Sequence, residues 1–410
     1  MKYFYISLVA LFITLNLNAL DIDQKLALIK DVYVLSSKEC KPSISEDNSI
    51  DFIAGKALFE SKVLSGNEDI ACINCHLDKF GSADGLPLAA GVLGDKEGKE
   101  RYFDGKGILV QRNAFSLKGR AHSEFVNYFW DGKAQIQDKK IVSQFGNQLS
   151  SKFDSIFAVA SILPLIERDE FIGYNNEIED EVGNKLYRNR YDAIGKIIRK
   201  RLVERKTKES SELADKLVAA NVNISTFELA DAGNLLAKFF EKKFPCEISN
   251  WDKYLQGSKS AISLSQKKGA ILFFGKGRCA SCHSGNFFSD FDFHSIGTPQ
   301  GYFGVHSRHR DIGRAGVTNR VEDMYKFRTP PLTLVKETPP YGHSGAFKTL
   351  RSVIVHHFNP YEFYKLNDTY YEADYYNIGK VIGSRDSVLN AIDIHSEEEV
   401  SQLIDFLEAL

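Results

Sequence analysis

The chain has 410 residues, of which 43% are hydrophobic and 26% charged, and its formal net charge is −2. This length accommodates two or three domains with substantial cores, and the composition is that of a soluble globular chain. A near-neutral balance excludes the basic footprint expected of a nucleic-acid binder.

In chain order, Met1 to Ala19 carry Lys2, an apolar run from Tyr3 to Leu15, then Asn16-Leu17-Asn18-Ala19. This reads as a secretory signal peptide, residues 1–19, with Leu17 an atypically large residue at the −3 position. The other reading is an uncleaved anchor, for which the apolar run is short. Cys40 and Cys246 lie outside the two cysteine motifs described next. In an oxidising compartment they are open to a disulfide or to two free thiols, and the sequence does not decide.

The run Phe52-Ile53-Ala54-Gly55-Lys56-Ala57-Leu58-Phe59 predicts a helix leading into Cys72, Cys75 and His76. Two thiols three residues apart can each add to one haem vinyl group, and the adjoining imidazole turns onto the iron. That is the c-type haem attachment pattern C-x-x-C-H. It recurs at Cys279, Cys282 and His283, again after an apolar helical run, Lys268 to Phe274. A zinc site would need more ligands, and a redox dithiol would not need a histidine placed identically twice. Two covalently bound c-type haems in duplicated modules are therefore expected, and with them export to the periplasm, where such haems are attached.

Between the motifs, the glycine-rich stretch 81–107 predicts loop over the first haem. Phe129-Trp130-Asp131-Gly132 offers an aromatic pair that is either core or, for Trp130, an electron relay between haems. Phe157 to Arg168 reads as a buried apolar run ended by Pro164 and acidic residues. Ile194 to Lys208 predicts a basic amphipathic helix, with Ile194, Ile197, Ile198 and Leu202 on one face. Its charges are either a solvated face or a dock for an acidic electron carrier. Leu229 to Phe244 predicts another helix, and Leu350 to His357 and Glu397 to Leu410 two more. The fold class is mainly α, without a strand-rich sheet. The division is an N-terminal haem domain over 20–165, a helical connecting segment over 166–250 and a C-terminal haem domain over 251–410.

The two motifs, Arg112-Asn113, Phe129-Trp130-Asp131-Gly132, Phe293-His294-Ser295-Ile296-Gly297, Asp311-Ile312-Gly313-Arg314 and Pro340-Tyr341-Gly342-His343-Ser344-Gly345 together resemble the di-haem cytochrome c peroxidase family. That family includes the enzyme that matures tryptophan tryptophylquinone, and the matching segments span roughly residues 50 to 360 in the family's order. The resemblance implies a peroxidatic N-terminal haem on His76 and a C-terminal haem on His283 that receives electrons. It makes Trp130 the inter-haem tryptophan, and it places a calcium ion at Asn113, Thr338 and Pro340, whose alternative role is ordinary turn chemistry.

Departures from the family's pattern bear on function. Counting from the first motif puts Val92 where bacterial peroxidases often carry a distal histidine, which leaves the first haem open; His122 reads as a core or surface residue. The family's glutamate over the open haem has no clear counterpart: Lys140 to Ser151 offers Gln144 and Gln148 but no acid, with Gln148 nearest. An amide shuttles protons poorly, so Glu124 or water would have to compensate. For the second haem, counting from Pro340 reaches His357 as distal ligand, with His356 the rival. Met324 is the one methionine left once the signal is removed, and it lies away from the site.

The expected function is a periplasmic oxidoreductase that reduces hydrogen peroxide at the N-terminal haem. Electrons would come through the C-terminal haem from a c-type cytochrome or cupredoxin. The alternatives are an enzyme that oxidises residues of a partner protein, or a non-catalytic di-haem electron carrier or redox sensor. Homodimerisation is left open.

Overall fold

The computed structural model describes residues 20–42, 44, 47–94, 96–97, 100–101, 107–144, 151–183, 185, 187–300, 311–366 and 375–410. The predicted signal peptide and Gln148 lie outside these residues. Among them, helices dominate and strands are few and short.

The described chain opens with α1 (Ile22–Tyr33), whose start is fixed by a capping box between Asp21 and Gln24. Next come α2 (Ile50–Glu60), the strands β1 (Asn127–Tyr128), β2 (Ala134–Gln137) and β3 (Lys140–Ser143), and α3 (Ile156–Ile162). Helices α4 (Tyr187–Glu204), α5 (Lys208–Ala219), α6 (Leu229–Lys243) and α7 (Leu264–Phe274) lead to the second motif. Beyond it lie β4 (Phe293–His294), β5 (Phe327–Arg328), α8 (Leu350–Phe358) and α9 (Glu397–Leu407).

Buried side chains form two clusters. The first joins α2, α3, α4, α5 and α6, with Phe287 and Phe291 reaching in from beyond the second motif. The second joins α7, α8 and α9 with Trp251 and with Leu26 of α1. Each cluster is centred on a helix crossing that requires glycine. A Cβ on Gly55 would stand 2.5 Å from the Leu235 carbonyl oxygen, which brings α2 against α6. One on Gly269 would stand 1.9 Å from that of Gln402, which brings α7 against α9. The helix before each C-x-x-C-H thus crosses a later helix of its own cluster backbone to backbone.

Within residues 166–250, Ile194, Ile197, Ile198 and Leu202 of α4 and most of the apolar face of α6 lie inside the first cluster. Conversely, α1 packs on α7, although it precedes the first motif in sequence. The segment after α1 crosses from one cluster to the other and is pinned by a buried Lys38–Asp252 ion pair at 2.5 Å. A Cys40–Cys246 disulfide, with Cα atoms 5.3 Å apart, closes the question left by the two extra cysteines.

Two sequence expectations change in detail. The basic helix ends at Glu204, and its cations serve the fold. Arg199 donates to the Phe227 carbonyl, and Arg201 donates to the carbonyls of Val63, Ser65 and Gly66. A three-stranded antiparallel sheet, β1-β2-β3, brackets the Trp130 segment, which lies between β1 and β2, where no strand was expected. Its β2–β3 turn puts Asp138 and Lys139 at φ 48° and 62°, the two-residue turn ordinarily signalled by Asn-Gly.

Candidate functional site

Each C-x-x-C-H forms one 3₁₀ turn, Cys72–Asn74 and Cys279–Ser281, closed by the histidine N–H donating to the first cysteine's carbonyl. In both, the next loop supplies a carbonyl that anchors the imidazole. His76 Nδ1 donates to the Ser82 oxygen at 2.8 Å, and His283 Nδ1 to the Phe288 oxygen at 3.0 Å. A carbonyl only accepts, so Nδ1 carries the proton and Nε2 keeps the lone pair that binds a metal. Burial pushes the His76 pKa down and that of His283 to about 4, which keeps both rings neutral.

The four motif cysteines are free thiols. Burial pushes Cys72 and Cys279 up to about 12 and raises Cys75 as well, the opposite of an activated redox dithiol. Half-buried thiols beside carbonyl-anchored neutral histidines fit covalent haem at both motifs.

Around the second motif these groups line a largely apolar cavity that also contains His357. His357 gives Nδ1 to the Val353 carbonyl at 2.7 Å, which frees Nε2, and it stands close enough to His283 to depress its pKa. The neighbouring His356 is turned away. Its Nε2 donates to the Gly297 carbonyl at 3.0 Å, and its ring packs on Phe347. One residue along a helix is about 100° of rotation, which separates the two imidazoles. Met324 is not among the residues lining this cavity.

At the first motif the lining differs. A small cavity bounded by His76, Phe52, Ile73 and Phe239 contains no second histidine. Val92 is fully buried in the first cluster, and His122 packs on Phe287, 4.9 Å between ring centroids. The loop bearing Val92 is held by Arg101, which donates to the carbonyls of Ala90, Gly91 and Gly94. It lies against a π-helical turn, Arg168–Ile172, through a 3.0 Å bond from Val92 N–H to the Asp169 carbonyl. Such turns occur frequently at functional sites.

That turn carries an acid the sequence reasoning missed. Glu170 lies near enough to Cys75 to raise its pKa, and its own carboxyl is pushed up by burial while Lys133 pulls the other way. Lys133 is itself paired to Glu167 at 2.7 Å. The available signal was the cluster Glu167, Asp169 and Glu170 directly after a largely buried run. Of the two glutamines considered, Gln144 has a buried Oε1 without a partner, and Gln148 lies outside the described residues. Glu124 accepts from the Asn286 side chain at 2.8 Å.

Trp130 lines the second cavity and donates Nε1–H to the Asn113 carbonyl at 3.1 Å. Its own carbonyl accepts from Arg328 N–H at 2.7 Å. Asn113, Thr338 and Pro340 converge on the same cavity wall. The Asn113 amide already donates to the carbonyls of Leu86, at 2.8 Å, and Pro340, at 3.3 Å. A calcium ion, which needs oxygens at 2.3–2.6 Å, would require that amide to turn its oxygen inward.

The profile of a family described as di-haem cytochrome c peroxidase matches residues 52–260, just over half of the chain. Cytochrome-c peroxidase IdrP2 of Denitromonas iodatirespirans is 25% identical over 380 residues, covering 87% of this chain and 80% of that protein. Methylamine utilization protein MauG of Methylophilus methylotrophus is 26% identical over 312 residues, covering 74% and 70%. Among solved structures, a MauG-like protein associated with microbial copper homeostasis superposes with a TM-score of 0.59 at 20% identity, over 92% of this chain and 93% of that one. The last likeness shows a shared fold.

Proposed function

The chain belongs to the di-haem cytochrome c peroxidase family, and from that premise we propose that it reduces hydrogen peroxide at a haem on His76. Electrons would be delivered through a second haem held by His283 and His357. It is an oxidoreductase of the peroxidase type. The observation that carries the division of labour is the asymmetry of the two histidines. His283 shares its cavity with a second imidazole free at Nε2, whereas no second histidine is among the residues that line the cavity at His76. Haem supplies the redox iron at which peroxide takes up two electrons and two protons to give two waters.

The chain's own groups then have separable tasks. His76 and His283 offer Nε2 because Ser82 and Phe288 hold their Nδ1 protons. Glu170, kept partly protonated by burial, moves a proton between the two oxygens of peroxide, a task no amide in Lys140 to Ser151 could take. Trp130, fixed by Asn113 and Arg328, carries charge between the sites. Calcium at Asn113, Thr338 and Pro340 would bind with the Asn113 oxygen turned inward. A periplasmic location is supported by the Cys40–Cys246 disulfide, and no described helix is long and apolar enough to cross a membrane.

The electron source is a small c-type cytochrome or cupredoxin. A second reading, oxidation of residues in a partner protein, is favoured by Val92 alone, since a haem without a distal imidazole needs no prior activation. The deciding experiment uses the purified holoprotein. Its denatured mass should exceed the polypeptide by two haems, and its ferric form should show one high-spin and one low-spin haem. It should also turn over peroxide with a reduced cytochrome. Two low-spin haems without turnover would overturn the catalytic reading. Peroxide oxidation of the haems without steady-state cytochrome oxidation would move the function to a partner protein.

A further inference from the structure

The cavity that joins His283 to His357 also takes in two guanidinium groups, Arg120 from the first cluster's side and Arg328 from β5. Both are buried, at 7% and 4% exposure. Three other buried cations near the boundary have acids: Arg112 has Asp131 and Asp311, Lys133 has Glu167, and Lys38 has Asp252. A fourth, Arg314, is satisfied by the carbonyls of Asp131 and Gly132 and by Gln135 Oε1. Arg120 and Arg328 have no carboxylate partner among the described residues.

Arg120 donates Nε to the Ser116 carbonyl at 2.7 Å and lies over the Phe125 ring at 4.8 Å, while its Nη1 is buried without any partner. Arg328 gives Nε to the Phe129 carbonyl and Nη1 to that of Thr329, both at 3.1 Å. The two cations lie close enough for Arg328, together with burial, to push Arg120 down to about 9. Two buried like charges with an orphaned donor are costly unless an anion enters the same space. Of the other charged side chains on this wall, Arg278 is exposed to solvent and His294 is balanced locally. His294 is clamped between Asp290 at 3.0 Å and Asp386 at 2.5 Å.

A haem brings two carboxylates on one edge. We propose that Arg120 and Arg328 hold the propionates of the second haem and raise its reduction potential. This rests on the reading that haem fills the His283–His357 cavity. Reduction adds one negative charge to the site, so fixed cations a short distance away favour the reduced state. They oppose the second imidazole, which favours the oxidised state relative to a thioether ligand. Arg328 has a further consequence. The residue that would meet a propionate also holds the backbone of Phe129 and Trp130, and so couples the edge of the second haem to the indole.

The test compares Arg120→Leu, Arg120→Gln and Arg120→Lys in the holoprotein. Arg120 is preferred because Arg328 variants would also release Trp130. The readouts are the midpoint potential of the low-spin haem and the propionate bending bands of its resonance Raman spectrum. Leu and Gln should shift the oxidised-to-reduced ratio at fixed potential about tenfold toward oxidised, or about 59 mV for one electron. They should also move the Raman bands, and Lys should restore most of both. A low-spin haem with an unchanged midpoint and unchanged bands in whichever neutral variant folds would overturn the assignment. If wild-type protein carries no second haem, the underlying reading fails instead, and mass alone shows which.

Discussion

Arg112 grips Asp311 with two parallel bonds, Nε at 2.7 Å and Nη2 at 2.8 Å, across the boundary between the two clusters. Its remaining nitrogen, Nη1, holds Asp131 at 2.5 Å. Asn113, next in sequence, accepts the Trp130 indole N–H on its carbonyl, and Asp131 follows Trp130. One planar cation therefore fixes the chain on both sides of the indole contact, with the geometry that bidentate guanidinium–carboxylate pairs impose.

Replacing Trp130 with Phe should leave both haem spectra unchanged yet slow re-reduction of the peroxide-oxidised protein. Stopped-flow absorbance measures this directly. Unaltered decay with full turnover would make Trp130 an ordinary core aromatic.

His357→Ala should convert one low-spin haem to high spin, whereas His356→Ala should keep it low spin and cost stability through the lost Gly297 bond. Ferric electron paramagnetic resonance separates the two, and the reverse pattern would transfer the ligand role to His356. Loss of the His356 hydrogen bond is expected to cost about 1 kcal/mol.

Glu170→Gln should lower kcat for peroxide about 10²- to 10⁴-fold, the range typical of a lost proton-transfer group. Its carboxyl titrates above the usual carboxylate range because burial disfavours the anion. The wild-type profile should therefore carry a limb above the ordinary carboxylate range that disappears in the variant. A Glu170→Gln protein with the same rate and the same profile would exclude the role.

Asp84 predicts a pH effect on stability. It is 1% exposed, its Oδ2 lacks a partner, and burial raises its pKa to about 7. The native state binds that proton more tightly than the unfolded chain, so stability falls as pH rises from the unfolded value near 4 to about 7. The loss is on the order of 4 kcal/mol. Thermal melts of the wild type should drop between pH 4 and pH 8, and Asp84→Asn should flatten the curve. Parallel curves would show that the carboxyl is compensated in the holoprotein.

Cys40→Ser with Cys246→Ser opens a loop of sequence separation 206. Chain entropy assigns such a bridge about 5 kcal/mol, an upper figure since engineered cases deliver less. The double variant should melt lower while keeping both haem spectra. An unchanged Tm would show that Lys38–Asp252 and the α1 packing suffice to hold the segment.

The two C-x-x-C-H turns were legible because the spacing expected for covalent haem attachment is one that little else imposes. That His357 rather than His356 lines the cavity of His283 was legible by counting along one helix. Other features were not. An amphipathic helix such as α4 looks the same whether it links two bodies or packs inside one, so the extent of the first cluster needed the Gly55–Leu235 crossing to be seen. Glu170 lies forty residues beyond Trp130, and only the fold brings its turn to the loop after the first motif. The β2–β3 turn hid because Asp138-Lys139 takes a conformation for which Asn-Gly is the usual cue.

Leu26 of α1 belongs to the core otherwise built from residues beyond Trp251. In topological terms most of the first cluster is an insertion between α1 and the rest of the second. Segments so far apart in sequence meet late, because the intervening loop must close before their contacts stabilise anything. Phe287 and Phe291, from beyond the second motif, complete the first cluster in turn, so neither cluster is built from one contiguous stretch of chain. A fragment starting at residue 250 would lose the partner that covers α7, with the Lys38 ion pair and the disulfide. The two units are interdependent by connectivity, whatever the chemistry that passes between them.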